Sequence, residues 1–119
     1  MGNPILRLLP LAAVALLALP AGATTPAERG KRFFNATHGG DWSCATCHTK
    51  DPLAQGRHAV TGKDIAPLAP AANPRRFTDP EKVEKWFGRN CNDVLHRACT
   101  PQEKGDFTAY VTSLSRVAR

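Results

Sequence analysis

Apolar residues along the chain form one continuous run and several short periodic stretches. The run extends from Leu8 to Leu19, about a dozen residues, whereas a membrane-spanning helix needs roughly 20. Near the other end, Phe107, Tyr110, Val111 and Leu114 recur at the i, i+3, i+4, i+7 spacing of an amphipathic helix. These patterns predict a short N-terminal targeting segment followed by a small helical domain.

The N-terminal segment has the parts of a secretory signal peptide. Arg7 precedes the apolar run, and the small residues Ala21, Gly22 and Ala23 follow it, as at an Ala-x-Ala cleavage site. The sequence therefore predicts a signal peptide over residues 1–23, cleavage after Ala23 and export of residues 24–119 to the periplasm as one domain. An uncleaved N-terminal anchor is the alternative.

Three segments combine Thr, Pro and Glu as at the start of a helix, with an N-cap, a first-turn proline and a capping-box glutamate. They are Thr25-Pro26-Ala27-Glu28, Thr78-Asp79-Pro80-Glu81 and Thr100-Pro101-Gln102-Glu103. The predicted helices run over 26–35, 80–87 and 101–116.

The middle helix places Val83, Trp86 and Phe87 together, and Gly88 is predicted to end it as a left-handed C-cap. A long segment rich in Pro, Gly and Ala, Thr49–Phe77, precedes this helix. So long a segment without periodicity fits a compact domain if it wraps a large flat cofactor, with residues such as Ile65 and Leu68 buried against it.

The formal net charge is +6, but the Lys and Arg residues are scattered. No aromatic residues interleave with them as in a nucleic-acid platform, so nucleic acid is not expected as a partner. A basic surface of this kind suits either solvation or docking onto an acidic protein.

The segment Cys44-Ala45-Thr46-Cys47-His48 has the C-x-x-C-H spacing of c-type haem attachment. Both thiols can reach the haem vinyl groups as thioethers, and the adjacent imidazole can ligate the iron. The sequence therefore predicts one covalent haem c held by Cys44, Cys47 and His48. A zinc knuckle or a thioredoxin-like pair would leave His48 unexplained.

The sixth iron ligand cannot be methionine in the exported domain, because Met1 is the sole methionine of the chain. The remaining candidates are His38, His58, His96 and Asn90, or no protein ligand at all. From the residues alone these alternatives stay open.

Two further cysteines, Cys91 and Cys99, are predicted to form a disulfide in the oxidising periplasm. Closing a loop of this length stabilises a fold by roughly 2.5 kcal/mol on the chain-entropy model. The bridge serves either as a structural staple alone or also to fix the backbone of Asn90 beside it.

The chain resembles the sphaeroides haem protein family of monohaem cytochromes c, to which the bis-histidine cytochrome c″ is related. The resemblance covers nearly all of the exported domain and rests on the following segments: Trp42–His48, Thr61-Gly62-Lys63, Pro67–Asp79, Val83–Cys91 and Cys99–Gly105.

This resemblance implies an all-α fold like a small class I cytochrome c, with the first and last helices crossing near one covalent haem. It also implies that Asn90 is the sixth ligand of ferric iron, with the Cys91–Cys99 disulfide behind it. Cytochrome c″ has a histidine before that first cysteine, so Asn90 points to the oxygen-binding branch. His96 stands where a small residue is expected, and it joins Arg89 as a candidate distal residue.

The function predicted from these observations is that of a periplasmic monohaem cytochrome c. It carries an electron and, on reduction, loses the weak Asn90 ligand so that a small diatomic molecule (O2, NO) can bind. The resemblance implies a redox-partner cytochrome, a dihaem cytochrome c served by a membrane cytochrome b. The alternatives are a bis-histidine electron carrier and a haem enzyme that reduces O2, peroxide or NO, although the sequence shows no clear peroxidase pair.

Overall fold

The computed structural model describes residues 1–5, 7–15, 17 and 22–115. Its elements are α1 (Pro26–Asn35), α2 (Cys44–His48), β1 (Gly56–Arg57), β2 (Asp64–Ile65), α3 (Pro80–Leu95) and α4 (Pro101–Ser113). The all-α prediction is confirmed, since the two strands form only a two-residue antiparallel ladder. Within the described ranges, no helix has the length and apolar character to cross a bilayer.

Parts of two predictions lie outside the described residues. They are the end of the Leu8–Leu19 run with Ala21 beyond it, and the predicted helix end at Arg116. The last helix in fact stops at Ser113, because Leu114 is already extended.

Capping boxes begin the first and last helices, as predicted. In α1 the Glu28 N–H donates to Thr25 Oγ1 at 3.2 Å, and the Thr25 N–H donates to Glu28 Oε2 at 2.8 Å. Thr100 and Glu103 make the same exchange at the start of α4. These bonds satisfy two of the N–H groups that a helix start leaves without partners.

α3 begins at Pro80 as predicted, but its cap differs from the predicted capping box. Asp79, not Thr78, is its N-cap, and one Asp79 carboxylate oxygen accepts hydrogen bonds from the N–H groups of Glu81 and Lys82. Thr78 instead donates its hydroxyl to the Arg75 carbonyl at 2.8 Å. The proline fixes this register, because Pro80 occupies the first helical position and so makes the preceding residue the cap.

The end of α3 was also predicted wrongly. The helix continues through Gly88 for two more turns and ends at Leu95, with His96 as its left-handed C-cap (φ 57°). A glycine costs about 1 kcal/mol relative to alanine inside a helix. Burial of Cys91 and Val94 beyond it offsets that cost. The prediction considered only the preference of Gly88 itself and therefore missed this contribution.

The first and last helices cross at close range. A methyl group at Gly30 would collide with the carbonyl of Asp106, so only a glycine lets the two backbones approach this closely. Beside the crossing, Arg29 donates two parallel hydrogen bonds to the Asp106 carboxylate, each 2.9 Å long. This charged pair, which lowers the pKa of Asp106 through the Arg29 hydrogen bonds, fixes the crossing laterally.

The core lies under this crossing. Phe34 and Val111 are fully buried, and the Phe34 ring meets Tyr110 edge-on at 5.6 Å. Leu68 from the long segment completes the buried cluster, whereas Ile65 is half-buried. The predicted stripe of α4 is thereby confirmed at its buried positions.

The aromatic residues of α3 divide between the core and the surface. Phe87 packs against Phe107 of α4 with ring centroids 5.4 Å apart. Trp86, predicted to lie with Val83 and Phe87, is 43% exposed and lies beneath the Arg89 guanidinium. The helix therefore packs through one narrow face, which continues toward Asn90.

Candidate haem site

The haem-attachment motif folds as the short helix α2. The Ser43 N–H donates to Thr46 Oγ1 at 2.9 Å, which closes the first turn. Cys44 and Cys47 are unbridged, and burial raises the pKa of the Cys44 thiol to about 11. The Cys44 sulfur is thus a thiol at neutral pH, and both sulfur atoms are free of a disulfide and available for addition to vinyl groups.

His48 follows as the last residue of this helix. Its ring lies 6.4 Å from the buried Phe34 ring, centroid to centroid. Burial, together with the nearby positive charge of Arg76, lowers the pKa of His48 to about 4. The imidazole is therefore neutral at pH 7 and keeps a free nitrogen lone pair, as metal ligation requires.

The long segment wraps α2. The Leu68 and Ala69 N–H groups both donate to the Pro52 carbonyl, at 3.0 and 2.9 Å. Gly56 packs so closely on the backbone of Cys47 and His48 that any side chain there would collide with the Cys47 carbonyl. This packing fixes the position of the motif relative to the segment that encloses it.

Arg76 is the residue of this site that the sequence reasoning missed. It lies close enough to His48 to affect its pKa, and its guanidinium donates to the carbonyls of Pro67 (3.0 Å) and Ala66 (2.8 Å). Adjacent Arg75 is exposed. The sequence offers no signal to distinguish the two arginines, since their difference arises from the path of the loop.

Asn90 lies within α3 and not beyond its end, where the predicted C-cap at Gly88 would have placed it. It is three residues after Phe87 and four before Val94, so it shares the packed face of the helix with them. The Asn90 side chain is exposed on the polypeptide, while its neighbour Cys91 is buried. The backbone of Asn90 is therefore fixed beside the buried Cys91, while its side chain is exposed.

The structure joins Cys91 to Cys99 in a disulfide with a Cα–Cα distance of 5.6 Å. This bridge ties the end of α3 to the residue before α4. Arg97, inside the bridged loop, donates two hydrogen bonds to the Glu103 carboxylate at 2.7 and 3.0 Å. The helix segment that carries Asn90 is therefore held by a covalent bond and an ion pair.

The two candidate distal residues do not converge on one point. The Arg89 guanidinium stacks on Trp86, 5.5 Å from the ring centroid. His96 caps α3 six residues beyond Asn90, and its Nε2 atom would be 3.7 Å from a methyl group placed at Gly40. Seven residues separate them, which is about 10 Å along the helix.

The other two histidines make local contacts. His38 Nε2 donates to the Phe33 carbonyl at 2.9 Å. His58 Nδ1 accepts hydrogen bonds from the Val60 and Thr61 N–H groups at 3.1 Å each. Both rings are therefore engaged in the turns that contain them.

The donor set fits a covalent haem. Two free thiols three residues apart on one turn, a neutral imidazole next to them and an enclosing loop with buried Leu68 are what haem c requires. A cluster of three or more metal-ligating side chains, as a zinc site would need, is absent from the described residues.

Comparisons with known proteins agree with this site. Residues 20–111 match a family described as "Domain of unknown function (DUF1924)". Cytochrome c-type protein SHP of Cereibacter sphaeroides is 52% identical over 97 residues, which are 78% of this chain and 74% of that protein. The chain belongs to the SHP family of monohaem cytochromes c. It carries one covalently bound haem c.

Solved structures of the SHP family share the fold. The structure of oxidized SHP, described as an oxygen binding cytochrome c, has a TM-score of 0.71 at 51% identity and covers 79% of this chain and 87% of that one. Cytochrome c″ of Methylophilus methylotrophus is 49% identical over 86 residues, 69% of this chain and 60% of that protein. Its oxidized crystal structure has a TM-score of 0.67 at 46% identity and covers 76% of each chain. A solution structure of cytochrome c″ concerns haem-ligand detachment.

Proposed function

We propose that this protein is a periplasmic electron carrier in which Asn90 is the weak sixth ligand of ferric haem. Asn90 leaves the iron on reduction, and a small diatomic molecule such as O2 or NO then binds in its place. When bound, the haem supplies the one-electron couple and the coordination position for the gas. The residues of the chain would hold the haem and position the two proposed iron ligands, His48 and Asn90.

The position of Asn90 carries this proposal. Cys91, the next residue, is buried and bridged, so the backbone of Asn90 is held in place while its carboxamide stays free to move. On the same helix face, Phe87 packs toward the core. A ligand on such a fixed backbone can leave and return by a change in its own side-chain torsions, with no movement of the helix.

The chemistry of the carboxamide supports release on reduction. Its oxygen is a neutral, hard donor, which prefers ferric over ferrous iron. His48 remains as the permanent ligand, because α2 and Gly56 fix its backbone. SHP is an oxygen binding cytochrome c, and haem-ligand detachment is the subject of the cytochrome c″ solution structure; both support release of a ligand here.

Absorption and paramagnetic resonance spectra of Asn90→Ala test this function. We expect the ferric variant to become high-spin, because its sixth ligand is gone, and the ferrous spectrum to match the five-coordinate wild type. Asn92→Ala is the matched control, since Asn92 is an exposed asparagine on the same helix two residues away. A low-spin ferrous wild type without added ligand would contradict the proposal.

We further propose that a redox-partner cytochrome, a dihaem cytochrome c served by a membrane cytochrome b, supplies the electron. Lys82, Lys85 and Arg89 are exposed on α3, the helix that carries Asn90, and exposed cations of this kind favour an acidic partner. The rate of reduction by the partner should fall as ionic strength rises. A rate independent of salt would count against this docking surface.

A further inference from the structure

Arg76 is a half-buried cation held in a fixed orientation. Its Nε donates to the Pro67 carbonyl at 3.0 Å, and its Nη2 donates to the Ala66 carbonyl at 2.8 Å. The Asn73 carboxamide also donates to the Pro67 carbonyl, at 3.2 Å. Two backbone acceptors therefore aim the guanidinium, but both are neutral.

This guanidinium has no counter-charge among the residues that the structure describes. The ion pairs there involve Arg29, Arg57, Arg97 and Lys104. Burial without an acidic neighbour lowers the pKa of Arg76. A cation removed from water without an anion is costly. Three of its five N–H groups remain for a further acceptor, two on Nη1 and one on Nη2.

Arg76 lies beside the haem site. The segment that orients Arg76 continues directly into Leu68, whose N–H is tied to Pro52 four residues after His48. Arg76 and His48 are also close enough to interact electrostatically. A planar fork of N–H donors pairs best with a carboxylate, and haem carries two carboxylates on its propionate groups.

We propose that Arg76 binds a propionate carboxylate of the haem, and that it thereby fixes the rotation of the ring and favours the ferrous state. This inference rests on the haem site but not on Asn90 as the sixth ligand. Arg76 is a positioning residue here, since it acts on the iron through charge and through the orientation of the ring.

The reduction potential of holoprotein variants tests the role of the charge. We expect Arg76→Gln to lower the potential, so that the ferrous-to-ferric ratio at a fixed applied potential falls roughly fivefold to tenfold, the scale of one charge acting across protein. Arg76→Lys should fall between this variant and the wild type, because it keeps the charge but loses the fork. Arg75→Gln is the control, with the same change on an exposed neighbour.

Two outcomes would overturn the proposal. In the first, Arg76→Gln lowers thermal stability but leaves the reduction potential at the wild-type value. That result is expected if Arg76 only stabilises its loop. The other is an equal shift in Arg75→Gln, which would make the effect a general one of net charge. A low-spin ferrous wild type without added ligand would refute the role of Asn90, but it would leave the role of Arg76 in binding a propionate unaffected.

A direct measurement needs no variant. In the carbon monoxide complex of the ferrous wild-type protein, or in the ferrous protein itself where it is low-spin, the haem is diamagnetic. There we expect nuclear Overhauser contacts between the Arg76 side-chain protons and the propionate methylene protons. Their absence in a spectrum that assigns both groups would reject the pairing, whether or not the Arg76 variants assemble with haem.

Discussion

At the scale of single residues, the two proposed iron ligands differ in how the fold holds them. His48 lies on a helix pinned by Gly56, and its ring is neutral because burial lowers its pKa to about 4. Asn90 is held through its backbone alone. His96, on the same helix, faces the Gly40 turn. The fold therefore constrains the backbone and the ring environment of His48 but only the backbone of Asn90.

His96→Ala tests whether a second histidine competes with Asn90 for the iron. We expect unchanged absorption spectra in both oxidation states, because His96 is exposed and caps the helix six residues beyond Asn90. A change in the ferric or ferrous spectrum would favour the bis-histidine alternative. His58→Ala serves as a comparison, since the His58 ring is already bonded within its own turn.

At the scale of elements, α3 determines the position of the Asn90 backbone. The helix runs from Pro80 to Leu95 through a glycine, and its far end is tied down by the disulfide and by the Arg97–Glu103 pair. A helix of this length acts as a rigid support. Two substitutions probe its continuity and its anchoring.

Gly88→Ala should raise the free energy of unfolding by about 0.5–1 kcal/mol, because Gly88 is helical and a methyl group there meets open space. Gly62→Ala is the matched control. It also has open space, but its left-handed backbone (φ 68°) should make alanine destabilising by a similar amount. Chemical denaturation measures both. Loss of stability in Gly88→Ala would instead favour the shorter helix, ending at Gly88, that the sequence predicted.

Glu103→Gln should lower the free energy of unfolding at neutral pH by on the order of 1–2 kcal/mol. Hydrogen bonds from Arg97, with help from Thr100, lower the pKa of Glu103 from 4.5 to about 2. The stabilisation is therefore complete above about pH 4.5 and is lost as the pH falls toward 2. Denaturation of both proteins across this range should show the difference vanish in acid. Glu81→Gln, on an exposed first-turn glutamate, should show little difference at any pH.

The sequence predicted those elements whose cause is local. Thr25 and Thr100 begin helices through bonds to residues three positions away, and the stripe of α4 repeats within one helix. The end of α3 has a distant cause, because burial of Cys91 and Val94 overrides the local preference of Gly88. Arg76 differs from Arg75 only through the course of the loop, which a single sequence does not reveal.

At the scale of the whole molecule, the fold begins where the predicted leader ends. The Thr24 carbonyl accepts a hydrogen bond from Arg29 at 2.9 Å, and Arg29 in turn holds Asp106 of the last helix. Thr24 is thus linked through Arg29 to the ion pair that spans the helix crossing. This agrees with the predicted cleavage after Ala23, which stays a prediction.

The intact mass of purified holoprotein tests that boundary. We expect residues 24–119 plus one haem, with the protein in the periplasmic fraction. Ala23→Phe should block processing, because the cleavage site requires a small residue, whereas Ala27→Ser inside α1 should leave it unchanged. A wild-type mass that includes residues 1–23 would indicate an uncleaved anchor.

The crossing at Gly30 has a consequence for biogenesis. Phe34 emerges early in synthesis, yet the residues that cover it, Tyr110 and Val111, come near the very end of the chain. Contacts so distant in sequence close slowly. Cys44 packs against this same cluster. Its sulfur therefore stays uncovered until α4 has formed, and the haem can be attached before the two helices meet.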